Sequence, residues 1–480
     1  MASRVDRHGR GSGAEDVARR KREASEDRDR LGEAIAPIYL LLCLLLGGSA
    51  QGAWTNLLLR LAGIVIIMWA AAAPRRPLGR MGRSLFAWIL LALFIAALQL
   101  IPLPPSLWTH LPGREFILEG YRLIGGPLPW MPLSVTPYDS AAALLAIIPA
   151  LASLAAVLRL GCRPAWLVIA LMAGTIGGIV LGVLQVGSTD PETSRWYLYP
   201  QSSWGLATGF FANANHMATL LLITIPFLAA LPVAVRRRSE QAQLHSGIAA
   251  LAASGLLLVL IGITLNGSLA AYGLLLPVLA ASALIIVPRT SRARRWLAIA
   301  AALLLVASVA LLWTNGGRLG SRLGLAGSVH SREQIYATTM RATRDFMPLG
   351  SGLGSFPRVY AVYEDHARLD VSEYVNHAHN DYLEYVLELG LAGVVGVALF
   401  LMWWGRAVWS VWRGGSADAF ARAASIASAA VLVHSIVDFP LRTAAISAAF
   451  AMCLGLLAVR RRVPSEPSQL WQTRHLVVGG

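Results

Sequence analysis

Twelve apolar stretches, each about the 20 residues that a helix needs to cross a bilayer, recur along this chain. They lie near 34–50, 54–73, 84–103, 139–158, 165–186, 208–234, 247–265, 269–287, 296–313, 382–405, 419–438 and 441–459. In lipid every backbone N–H and C=O must be satisfied inside the protein, and runs this continuously apolar suit helices rather than the alternating strands of a barrel. Composition agrees. The chain is 56% hydrophobic and 14% charged, where a water-soluble domain would carry about 25% charged residues. Its mean hydropathy is +0.58. The expectation is an all-α polytopic membrane protein with about twelve transmembrane helices.

The net charge is +15, and Lys21 is the only lysine. Arginines cluster in alternate short connections: Arg75, Arg76, Arg80 and Arg83; Arg159 and Arg163; Arg236 to Arg238; Arg289 to Arg295; Arg406 and Arg413; Arg460 to Arg462. Such clusters read as topology signals and lipid headgroup contacts, not as a nucleic-acid surface. They put both termini in the cytoplasm. Residues 1–33 then form a disordered cytoplasmic tail, 34–460 the membrane domain and 461–480 a second tail. Cys43, Cys162 and Cys453 have no spacing that suggests a disulfide framework or zinc.

The same count places loops 104–138, 187–207 and 314–381 outside. The last is the longest and lies just before the tenth span. It holds Arg318, Arg322, Arg332, Arg341, Arg344, Arg358 and Arg368, which opposes the usual charge bias and suggests anion binding. Ser331 to Phe346 has helix-compatible composition, ended by Pro348 and the run Gly350-Ser351-Gly352-Leu353-Gly354. That run reads as a turn; a phosphate cradle is the weaker alternative.

Three polar clusters sit at the ends of apolar spans, where desolvation makes polar groups expensive. The first is Asn376-His377-Ala378-His379-Asn380-Asp381-Tyr382-Leu383-Glu384. His377, Asp381, Glu384 and Glu388 fall on one helical face, so Glu388 must face the protein interior or a wet cavity. His379 is a candidate base. The second is Asn213, Asn215 and His216, which line a cavity or bond other helices. The third pairs His434 with Asp438 at i, i+4, before Pro440. His377 and His379 alone are poor metal-site evidence, so no metal and no cofactor are expected.

These stretches resemble the O-antigen ligase/O-antigen polymerase superfamily of bacterial membrane glycosyltransferases. The resemblance is carried by His377 to Glu384 followed by Gly390-Leu391-Ala392-Gly393. It extends to Gly209 through His216, Pro348 through Gly352, and His434 through Leu441. It implies a GT-C-like, metal-independent, inverting transferase of the bacterial inner membrane, acting at its periplasmic face. The implied donor is a polyprenyl-diphosphate-linked glycan; the implied acceptor is lipid A-core or a growing glycan, amid membrane lipids. His379 would be the base, with His377 beside it, and Arg332 would hold the diphosphate. Arg341 and Arg344, at i, i+3, join it by spacing, since guanidinium forks suit phosphate oxygens. Asn213, Asn215, His216, Asn380, Asp381, Glu384, His434 and Asp438 are the expected cavity residues. Two positions depart from the family pattern: Leu206 and Leu269 stand where arginines are common. Either the loop arginines hold the diphosphate alone, or the donor differs, or activity is lost. The rival from another class is a twelve-span transporter or lipid-linked glycan flippase. Such proteins more often carry a long linker between two halves, whereas here the 235–246 connection is short.

Overall fold

The computed structural model describes residues 31–73, 78–236, 241–322, 327–365, 375–413 and 418–459. Among these residues the fold is helical apart from one two-residue antiparallel pairing, with Pro102 opposite Pro132 and Leu103 opposite Met131. The helices are α1 (Leu31–Leu46), α2 (Ala53–Ala72), α3 (Arg80–Leu98), α4 (Glu115–Ile124), α5 (Pro137–Leu160), α6 (Pro164–Val186), α7 (Ala214–Arg236) and α8 (Ala242–Asn266). They continue as α9 (Leu269–Ile286), α10 (Arg292–Arg322), α11 (Gly327–Phe346), α12 (Phe356–Tyr363), α13 (Asp381–Arg413), α14 (Ala419–His434) and α15 (Ala444–Ala458). A single turn at Pro105–Trp108 precedes α4, and α5 closes on a π-helical turn at Ala156–Leu160.

All twelve expected spans correspond to helices, and the chain is an all-α polytopic membrane protein. Nine helices among the described residues are long and apolar enough to cross a bilayer; α1, α14 and α15 are shorter. The burial pattern explains how short helices are held. α14 and α15 are buried nearly all round. Both are rich in alanine, a small side chain that lets helix backbones approach closely. α14 packs on α7, α9 and α15, while α15 also packs on α5. The outer helices carry the opposite pattern. Leu58, Met68, Phe94, Leu303 and Val306 are exposed, an apolar surface suited to lipid.

The long connection before α13 is shorter than expected, because α10 runs to Arg322 rather than ending near 313. The expected helix there is α11. Its Ile335, Ala342 and Phe346 join Phe356, Val359 and Tyr360 of α12, Ala378 and Leu387 in a second apolar cluster. The spacing of Ile335, Ala342 and Phe346 puts them on one helical face, and this face docks α11 beside the start of α13. The expected tail boundary shifts slightly: Leu31 to Glu33 are already helical, and Glu33 meets Arg163 at 2.7 Å. The rest of both expected tails lies outside the described residues, as does Arg368.

A break in α13 explains two glycine motifs at once. Gly390 has φ +58° and leaves the helical path. The freed carbonyls of Leu387 and Glu388 accept from the N–H groups of Ser351 and Gly352, both at 2.9 Å. The Gln99 side chain donates to Glu388 O at 3.0 Å and accepts from Leu353 N. Gly350, at φ +81°, lies so close to the Glu388 and Gly390 backbone that a Cβ would collide with it. The glycine run is therefore a docking turn. Its N–H groups at 350 to 353 are committed to protein acceptors, which removes the phosphate-cradle alternative.

Candidate active site

The start of α13, the end of α14 and the start of α7 meet at one point. Asp381 N bonds Ser435 O at 3.0 Å, and Thr219 Oγ1 bonds His434 Nδ1 at 2.9 Å. At this junction His379 Nδ1 lies 3.1 Å from Asp438 Oδ1. Asp438 is buried, while His379 keeps 26% of its side chain exposed. Burial acts to raise the Asp438 carboxyl, but the hydrogen bond and charge of His379, backed by His216 and Arg332, outweigh it. They hold the acid well below the usual carboxylate range.

His379 sits at φ +49°, the one non-glycine residue with positive φ among the described residues. Histidine tolerates this left-handed region better than most side chains, yet it remains uncommon and strained. The surroundings hold it there. Tyr336 of α11 donates to the His379 carbonyl at 2.9 Å, and the next residue, Asn380, caps α13 by accepting from Leu383 N at 3.0 Å. Burial pushes the Tyr336 hydroxyl up to about 12, against the opposing charge of Arg332. It is thus a firm donor at neutral pH.

The expected i, i+4 pair of His434 with Asp438 does not form. α14 ends at His434, and the next residues turn so that Asp438 faces His379 instead. His434 turns to Thr219. Phe439, which sequence reasoning overlooked, is the hub of this region. Its ring centroid is 4.3 Å from that of His377, 4.9 Å from His379 and 5.0 Å from His216. His216 is buried with both ring nitrogens lacking a hydrogen-bond partner among the described residues, as do His434 Nε2 and Asp438 Oδ2. Asn213 and Asn215 have structural partners. Asn213 caps α7 through Asn215 N at 2.8 Å, and Asn215 Oδ1 accepts from Ser268 at 2.7 Å.

A second cluster lies immediately inward along α13. Asp381, Glu384 and Glu388 are buried, and Arg442 reaches all three, at 3.5, 3.2 and 3.2 Å. The inward face expected for Glu388 is observed. His377 is not helical but still reaches Glu384 at 2.9 Å, and Ala378 N donates to the other oxygen of that carboxylate. Ser435 donates to Asp381 at 2.8 Å. Three carboxylates face one guanidinium, and His377 and Ala378 N add hydrogen-bond partners for Glu384. Arg442 was also missed from sequence, although it directly follows the His434 to Leu441 stretch and ends the short 3₁₀ turn opened by Pro440.

The loop arginines separate into two places. Arg332 is near enough for its charge to act on Asp438 and Tyr336. Its Nε is buried with no hydrogen-bond partner among the described residues. Arg341 and Arg344 instead line a cavity bordered by Gln334, Thr338, Tyr360 and Glu364, with no histidine among the described residues of its wall. Leu206 and Leu269 are half-buried at the α8–α9 turn. Among the described residues no three His, Cys, Asp or Glu side chains are grouped to share a metal ion.

Fold and site together define a polytopic membrane protein with a histidine–carboxylate pair where three helix ends and an outer helix converge. Residues 254–398 match the family model described as O-antigen ligase. No curated protein matches the chain. The matched segment contains Arg332, His377 and His379 but stops short of His434, Asp438 and Arg442. Those residues enter the site through the geometry above. The match and the membrane-spanning helices support a membrane glycan ligase or polymerase role.

Proposed function

We propose that this protein transfers or polymerises a polyprenyl-diphosphate-linked glycan at the periplasmic face of the bacterial inner membrane, with His379 as the base. The carrying observation is the His379–Asp438 pair, held in a strained backbone conformation at a half-open position. A buried carboxylate on Nδ1 favours the tautomer with its proton on that nitrogen, leaving Nε2 free to accept. Nε2 then takes the proton of an acceptor hydroxyl as that oxygen bonds to the anomeric carbon of the donor sugar. The bond from that carbon to the diphosphate oxygen breaks on the opposite face, with inversion. The diphosphate leaves with the electron pair, and Arg332 is the guanidinium placed to offset the charge it gains. No step calls for a metal or a cofactor. The acceptor is lipid A-core or a growing glycan.

The test is a gel of surface polysaccharide from the native cell, a deletion strain, and that strain carrying His379→Ala. His379→Asn serves as a second variant, because asparagine also tolerates positive φ. Deletion should remove long-chain glycan, and neither variant, shown to be inserted, should restore it. Single repeats on the core would mark a polymerase; bare core with long chains on the carrier would mark a ligase. Full restoration by either variant would remove His379 as the base.

A further inference from the structure

The cavity between α11 and α12 has a volume of about 590 Å³, within the range of roughly 300–1,000 Å³ typical of small-ligand sites. Its wall carries Arg341 and Arg344 from α11, and Glu364 and Asp365 after α12. Among the described residues of the wall the formal charges cancel, two against two. A diphosphate placed there would meet two carboxylates along with the two guanidiniums, with no net attraction to hold it. The wall is instead dense in both donors and acceptors. Gln334 and Thr338 add an amide and a hydroxyl, and Tyr360 adds an aromatic side chain. Arg341 is already oriented, donating to Thr338 Oγ1 at 3.1 Å and Tyr363 O at 3.4 Å. Vicinal hydroxyls, each able to donate and accept, match such a wall.

The cavity also lies along the helix that carries Arg332 and Tyr336. Nine residues separate Arg332 from Arg341, about 13 Å of helix rise, a separation that a short oligosaccharide spans. We propose that this cavity is a saccharide subsite, holding a hydroxyl-rich segment of glycan while the reacting bond lies at His379 and Arg332. The inference rests on the proposed glycan transfer for its ligand, and it separates Arg341 and Arg344 from diphosphate binding.

The experiment reads occupancy rather than turnover. Ala337→Cys places a thiol in the cavity wall; Glu333→Cys places one on an exposed part of α11 outside it. The native chain, with Cys43 and Cys453 buried and Cys162 half-buried, gives the labelling blank. Maleimide labelling rates are compared in membranes opened by sonication from three strains. One makes the glycan-bearing carrier, one is blocked before the first sugar joins the carrier, and one lacks sugars on the acceptor lipid. Purified protein free of carrier gives the unprotected rate. The expected result is at least threefold protection of Ala337→Cys in the first strain and none of Glu333→Cys. Protection lost only in the blocked strain marks donor glycan; protection lost only in the acceptor-deficient strain marks acceptor glycan. Equal protection by the sugar-free carrier, or no protection in any strain, overturns the subsite. The same rates measured in the His379→Ala chain keep this result separate from the transfer reading, which the polysaccharide gel decides.

Discussion

Two charged clusters share the first turns of α13, and they are built on opposite terms. Around Arg442, three carboxylates from one helix converge on a single guanidinium, all of them buried. Around Asp438, one carboxylate meets one half-exposed histidine, while neighbouring polar atoms of His216 and His434 are left without partners among the described residues. The first arrangement ties α13 to the α14–α15 connection. Both clusters hold buried polar atoms without hydrogen-bond partners among the described residues, Asp381 Oδ1, Glu388 Oε1 and Arg442 Nε in the first; the second differs in its partly exposed, strained His379. On the proposed assignment the Arg442 cluster is structural, one guanidinium tying three acids, and the His379–Asp438 pair is the reactive one, its histidine left partly open.

The comparison breaks most readily at Arg442. Arg442→Gln strands three buried carboxylates, and losing one partner of a buried ion pair destabilises by about 3–5 kcal/mol. The expected outcome is a large fall in unfolding temperature in detergent and little folded protein in the membrane. A stable Arg442→Gln chain that had lost only transfer would reverse the two roles. His379→Asn should do the converse. Transfer should fall roughly 10²–10⁴-fold, the usual share of a general base, while the unfolding temperature falls less than for Arg442→Gln, because one buried carboxylate rather than three loses a partner.

Smaller effects sharpen the contrast. Gly350→Ala forces a Cβ against the broken turn of α13 at a positive φ, so it should destabilise by about 1–3 kcal/mol. Unfolding curves would show it, and unchanged stability would mean that the docking turn is not tightly held. The last effect is pH-dependent. The Asp438 carboxyl is held below its usual range, so its ionised form stabilises the fold above about pH 4, the ordinary aspartate value. That contribution is lost as pH falls through the lower folded value. The stability gap between the native chain and Asp438→Asn should therefore close in acid and persist at neutral pH. A gap that widened in acid would show the sign to be wrong.

Much of this was legible in the chain. The apolar runs marked every membrane helix, because their length and composition are local properties. The helix over Ser331 to Phe346 and the inward face of Glu388 followed from composition and periodicity. What escaped were contacts between distant segments. Spacing suggested that Asp438 pairs with His434, four residues away, yet its partner is His379, 59 residues away. α14 had already ended, so the helical rule no longer applied. Arg442 was visible only as a residue after a proline; its role exists because α13 brings three acids to it. Gly350 and Gly390 looked like separate motifs, and only their backbone contact shows that each requires the other. The short α1, α14 and α15 were read as ordinary spans because hydropathy records apolar length, not whether lipid or protein covers it.

The most direct test of the His379–Asp438 pair is made with purified protein in nanodiscs, supplied with polyprenyl-diphosphate-linked glycan and a lipid acceptor. Release of polyprenyl diphosphate and glycan joined to acceptor would be measured together. The native chain should form the two products in equal amounts. His379→Asn should lose at least about a hundredfold in rate, and Asp438→Asn should fall between them. Transfer by His379→Asn at the native rate would contradict the assignment, and the reacting base would have to be sought elsewhere among the residues around Phe439.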